Sequence, residues 1–191
     1  MKGENEQNST TKMRKRKGVR SAKECAYLAA FVALLIASQF VLSIVPGVEI
    51  VTVLFVAFSL VMGARRGMIA ATAFSLLRQF VFGFFSTVLL LYLIYFNLLA
   101  LCFGLLGGKW KLSGKTLPLF VALACVCTLC FTLLDNVITT LWYAYSVEAA
   151  KAYFFASLPI ALLQVVCTAI SVSLLLLPLC KTLFFAKKQL F

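Results

Sequence analysis

The chain has 191 residues, 63 % of them apolar and only 13 % charged, with 18 Lys plus Arg against 6 Asp plus Glu and no histidine. A soluble domain runs near half apolar and a quarter charged, so this composition belongs in a bilayer. Without histidine there is no Ser-His-Asp triad, no Cys-His dyad and no histidine metal ligand.

Residues 1–23 form a polar, basic stretch with Gln7, Asn8, Ser9, Thr10 and Thr11 in a row and a cluster from Arg14 to Lys17. With no apolar period, it reads as a disordered cytoplasmic tail ahead of a membrane domain over 24–191. It lacks the short apolar core and small-residue cleavage site of a secretory signal. Basic residues beside a first span are explained by topology and anionic lipid, so nucleic acid is not expected as a partner.

The remaining cations group sharply. After the tail come Arg65 and Arg66, then Lys109, Lys111 and Lys115, then Lys181, Lys187 and Lys188, with only Arg78 and Lys151 standing apart. A helix rising 1.5 Å per residue needs about 20 residues to cross about 30 Å of hydrocarbon, so each apolar stretch between groups holds two spans. The expectation is an all-α integral membrane protein with six transmembrane helices. If every basic group faces the cytoplasm, the topology is N-in and C-in.

In chain order the predicted spans cover 25–45, 50–62, 68–85, 88–106, 117–141 and 154–179. The first hairpin tip is the Pro46-Gly47 turn pair, and the second lies near Ser86-Thr87. The third, 142–153, carries Trp142, Tyr143, Tyr145 and Tyr153, amphiphilic rings suited to the headgroup level, as does Trp110 on the basic side. The second span is too short to cross alone and must be buried beside its neighbours.

Seven cysteines, including the C-x-x-C of Cys127 and Cys130, lie in or at the ends of spans, where a thiol packs as a small apolar group. With no second ligand pair at zinc spacing, neither metal nor cofactor is expected. Small residues recur every fourth position in the first span: Ala22, Ala26 and Ala30 on one stripe, Ala29, Ala33 and Ala37 on another. Such stripes permit close helix approach, either inside the bundle or against a separate membrane subunit.

Polar groups inside hydrocarbon are costly and mark partners, cavities or ligands. Here they are Gln39, Arg78, Asn97, Asp135, Asn136 and Gln164, with Glu49 at the outer mouth. Asp135, Thr139 and Trp142 fall at i, i+4 and i+7, which gives the fifth span one polar and aromatic face. Arg78 either holds helices together, with Asp135 or backbone carbonyls as its partner, or faces a ligand cavity. The expected cavity is lined by Arg78, Asn97, Asp135, Asn136, Trp142 and Tyr143, under Glu49. No phosphate-binding loop is present, so active transport needs partner ATPases or an ion gradient.

The first hairpin carries E-C-A-Y-L-A-A at 24–30, V-P-G-V-E-I at 45–50 and G-A-R-R-G at 63–67. In this order and spacing the run resembles the substrate-binding S components of energy-coupling factor (ECF) vitamin transporters, the thiamine-type members most closely, over about residues 22 to 85. The resemblance implies a bacterial cell-membrane, multi-pass protein without catalysis or cofactor of its own. Such a protein captures a vitamin or related micronutrient outside and works with a transmembrane coupling subunit and two ATPase subunits. It further implies that Ala26 and Ala30 dock the coupling subunit, and that the ligand lies near Glu49, the 84–87 region and the 135–145 region. The alternatives are an ion-coupled secondary transporter, using Asp135 or Glu49, and a non-transporting membrane scaffold.

Overall fold

A computed structural model describes residues 22–44, 50–109 and 113–190, and every regular element in them is an α-helix. The helices are α1 (Ala22–Leu42), α2 (Val51–Met62), α3 (Ala64–Phe82), α4 (Ser86–Lys109), α5 (Leu117–Trp142) and α6 (Val147–Leu190). The Pro46-Gly47 turn, Glu49, Trp110 and the basic tail before Ala22 lie outside the described residues.

Four helices, α1, α4, α5 and α6, are long and apolar enough to cross a membrane. Their outward faces carry Leu34, Val41, Leu98, Leu105, Val126, Leu133, Leu162 and Val166, all exposed. A continuous apolar exterior of this kind is untenable in water and natural in lipid, so this is a membrane protein. The two other helices depart from that pattern for different reasons. α3 has the length but carries Arg65, Arg66 and Arg78.

The short α2 is the axis of the fold. Its 12 residues rise only about 18 Å, less than the hydrocarbon thickness, yet Val51 to Ser59 are buried without exception. It touches all five other helices, as expected of a helix that is apolar on every side. Phe31 of α1 stacks on Phe58 at 4.0 Å between ring centroids, and Phe55 meets Phe96 of α4 at 4.6 Å and Phe74 of α3 at 5.4 Å.

One residue, Gly63, separates α2 from α3. Its φ of 88° is a left-handed conformation that L side chains rarely adopt, and it turns the chain without a loop. The G-A-R-R-G run predicted between spans therefore lies mostly inside α3, which begins four residues before the predicted 68. The corner is pressed against α4 at Gly104 and Gly107. A Cβ on Gly104 would meet the backbone of Ala64, and one on Gly107 the carbonyl of Leu60.

The second tip falls at 83–85, just before the predicted Ser86-Thr87, and again a glycine makes the bend, Gly83 at φ 91°. The third tip shrinks to 143–146. Residues 147–153, expected in a loop, open α6, which runs for 44 residues to Leu190 and is longer than a crossing requires. Successive helices run up and down. Glu24, Arg66 and Lys187 meet at one end, where Arg66 bonds Glu24 and Met62 O and Lys187 Nζ donates to Val61 O. The 83–85 and 143–146 connections lie at the opposite end.

Candidate functional site

Toward that opposite end, α5 and α6 run antiparallel and bring two polar faces together. Thr132, Asp135, Asn136 and Thr139 follow one another on α5, while Tyr153, Ser157, Ile160 and Gln164 recur at i, i+4, i+7 and i+11 on α6. Thr132 donates to Gln164 Oε1 at 3.3 Å and Asn136 Nδ2 to Ser157 Oγ at 2.9 Å. Tyr153 Oη donates to Asp135 Oδ2 at 3.5 Å and Thr139 Oγ1 to Asp135 Oδ1 at 3.4 Å.

Between these faces lies a cleft of about 230 Å³, lined by Phe131, Thr132, Asp135, Tyr153, Ser157 and Gln164 among others. One turn deeper, Thr128 and Thr168 bond each other at 3.1 Å and close the helix pair. The bonds to Asp135 are long, so the carboxylate is loosely held. Asp135 is the only charged residue of α5, and no cation lies within ion-pair distance of it among the described residues. Beside it the buried Asn136 leaves Oδ1 without a hydrogen-bond partner. Within the cleft Asp135 is the one ionisable acid, and the Thr132, Tyr153, Ser157 and Gln164 side chains beside it are neutral polar groups.

Arg78 sits in a separate cluster. Its Nε donates to Gln39 Oε1 of α1 at 2.9 Å, Gln39 Nε2 donates to Tyr92 Oη of α4 at 2.9 Å, and the guanidinium lies over the Tyr92 ring at 4.2 Å and the Phe82 ring at 4.7 Å. Three helices are joined through one cation, which is how a charge at membrane depth is made tolerable. Arg78 forms no ion pair with Asp135. Rings link the two sites, since Tyr92 and Tyr95 both contact Phe131, at 5.9 and 4.8 Å.

The other predicted site residues divide. Asn136 is buried behind the cleft, bonded to its lining residue Ser157. Asn97 is not in this site, because it accepts from Thr72 and donates to Leu93 O, within the α3–α4 contact. Tyr143 stacks with Tyr145 at 6.0 Å, and Tyr145 meets the cleft residue Tyr153 at 6.0 Å, so it is an outlying part of an aromatic rim. Trp142 is exposed, and Glu49 is outside the described residues. Tyr153, Ser157, Thr132 and Gln164 are not among the predicted site residues; Ser157 and Gln164 share a helical face within the predicted last span, and Tyr153 joins that face because α6 begins at Val147.

On α1, Leu28, Phe31, Val32 and Leu35 are buried, while Ala22, Ala26, Ala30, Ala29, Ala33 and Ala37 are all exposed. Both small-residue stripes therefore face away from the bundle. The cysteines are all free, and no group of three or more metal-binding side chains occurs among the described residues. Comparisons with protein-family models, with curated proteins and with solved structures found no match to this chain.

Proposed function

We propose that this chain is a ligand-capturing membrane subunit, an S component of an ECF-type importer. In this reading it takes up a vitamin-like micronutrient at the end holding the α5–α6 cleft and hands it inward with the help of a coupling subunit and two ATPases. The six helices then all cross the bilayer, with both termini and the four basic groups in the bacterial cytoplasm, in keeping with the positive-inside rule. The protein itself has no catalytic task.

The observation that carries the reading is the exposure of both alanine stripes on α1. In lipid, burying leucine against leucine gains little, whereas small residues let helix backbones approach closely. An alanine face turned away from its own bundle is suited to a second membrane protein. The cleft at the far end, with a loosely held carboxylate and aromatic walls, supplies the ligand side of the same reading.

The test is uptake in cells together with binding by the purified protein. Ala26→Leu with Ala30→Leu should abolish ATP-dependent uptake while leaving ligand binding intact. Unchanged uptake would remove the docking claim. A second reading is favoured by Asp135, a carboxylate within an apolar helix, which could serve an ion-coupled carrier. Uptake that persists without ATP and follows a proton or sodium gradient would decide for that reading.

A further inference from the structure

We propose that the α5–α6 cleft is selective for organic cations: a protonated amine, an amidinium or a positively charged ring nitrogen, seated against the Asp135 carboxylate. This rests on reading the cleft as the capture site and adds the sign of the ligand's charge. Three features of the cleft point the same way.

The first is uncompensated charge. Asp135 is half-buried on a helix with no other charged residue, and no described lysine or arginine comes within ion-pair distance. Arg78 is committed to Gln39 and two rings, and Lys151, two residues before Tyr153 on α6, is exposed and forms no ion pair with Asp135. A carboxylate inside a membrane bundle is stabilised by an opposite charge, and none of the described residues pairs with it.

The second is the imbalance of hydrogen bonding. Asp135 receives only two long bonds, from Thr139 and Tyr153, and a carboxylate can accept about four. A buried acceptor left unmade costs free energy that an incoming N–H donor recovers. The two carboxylate oxygens suit a ligand group with more than one N–H.

The third is the wall. Phe131 and Tyr153 line the cleft, and Phe131 is backed by Tyr95 at 4.8 Å. Aromatic faces attract cations through the ring quadrupole and repel carboxylates, so the apolar part of the cleft reinforces the choice made by Asp135. An anionic ligand would meet a carboxylate and two ring faces.

Three probes of nearly equal size and shape separate the possibilities: benzamidine as the cation, benzamide as the neutral form and benzoate as the anion. Each is titrated into the purified full-length protein in detergent, with binding read by calorimetry. Benzamidinium should bind with benzoate undetectable, and Asp135→Asn should weaken benzamidinium by about thirtyfold or more. Asp135→Glu should retain part of the binding. Should the Asn variant fail to fold, the wild-type protein provides an independent measurement. Benzamidinium, and not benzoate, should protect Asp135 from carbodiimide labelling, read at the α5 peptide by mass spectrometry. Equal binding of benzamide or benzoate, or labelling unaffected by benzamidinium, would overturn the proposal. Cation binding in a protein whose alanine-face variants transport normally would instead overturn the docked-subunit reading and leave the cleft assignment standing.

Discussion

Arg66 donates from Nε to Glu24 Oε1 at 2.6 Å, tying the start of α3 to the start of α1. Glu24 is buried, and the pair sits where Arg66 also reaches Met62 O and Lys187 donates to Val61 O. Charges from three helices thus converge on the α2–α3 corner. Arg66→Met should lower stability by about 1–3 kcal/mol, since a hydrogen bond between charged groups is lost with its guanidinium. Glu24→Gln, which keeps an acceptor, should lose less. Thermal unfolding of the detergent-solubilised variants gives both numbers, and equal stability of Arg66→Met and wild type would mean that the pair is not holding the corner.

The same corner predicts a contrast among glycines of α4. Gly104 and Gly107 face the backbone of Ala64 and Leu60 with no room for a Cβ, whereas Gly108, next in sequence, has nothing within 4 Å. Gly104→Ala and Gly107→Ala should each destabilise by about 1–3 kcal/mol through overpacking against backbone that cannot yield. Gly108→Ala should be neutral or slightly stabilising, because alanine is the better helix former. Yield and melting temperature of the three variants measure this directly, and a Gly108→Ala loss equal to the others would point to helix flexibility instead of close packing.

Gly63 also explains why part of the fold was hidden in the sequence. Cation groups and apolar lengths give the number and pairing of helices, because lipid thickness and charge cost act on composition alone. The G-A-R-R-G run reads as a loop by composition, yet the chain turns at one glycine and puts both arginines in the first turn of α3. Asp135 and Asn136 were legible as polar residues in hydrocarbon. Their partners Tyr153 and Ser157 were not, since the register of α5 against α6 depends on how tightly the 143–146 connection turns. Asn97 was equally conspicuous, but its bond with Thr72 faces α3.

Gln39 and Arg78 provide a quantitative test of how a membrane-depth cation is held. Arg78 Nε donates to Gln39 Oε1, and Gln39 passes a bond on to Tyr92. A double-mutant cycle with Gln39→Leu and Arg78→Met should give a coupling energy of about 0.5–2 kcal/mol, in the range of interhelical hydrogen bonds in bilayers. Arg78→Lys should be poorly tolerated, because an ammonium lacks the flat face that lies between Phe82 and Tyr92. Additive single-variant effects would show that the two side chains act independently.

The exposed face of α1 separates folding from association. Ala26 and Ala30 are exposed, so Ala26→Leu and Ala30→Leu should each shift monomer stability by no more than about 0.5 kcal/mol. Leu35 is fully buried on the same helix, and Leu35→Ala should cost about 2–5 kcal/mol through lost contacts and a cavity. Helix α1 packs against α2 and α3 and bonds α4 through Gln39, while its alanine side is exposed and turned outward. The informative outcome is the combination: leucines on the alanine stripe that leave the melting curve unchanged and eliminate uptake, against a Leu35 variant that lowers both. If the leucine variants melt early, the stripe belongs to the packing of this bundle and the partner assignment falls with it.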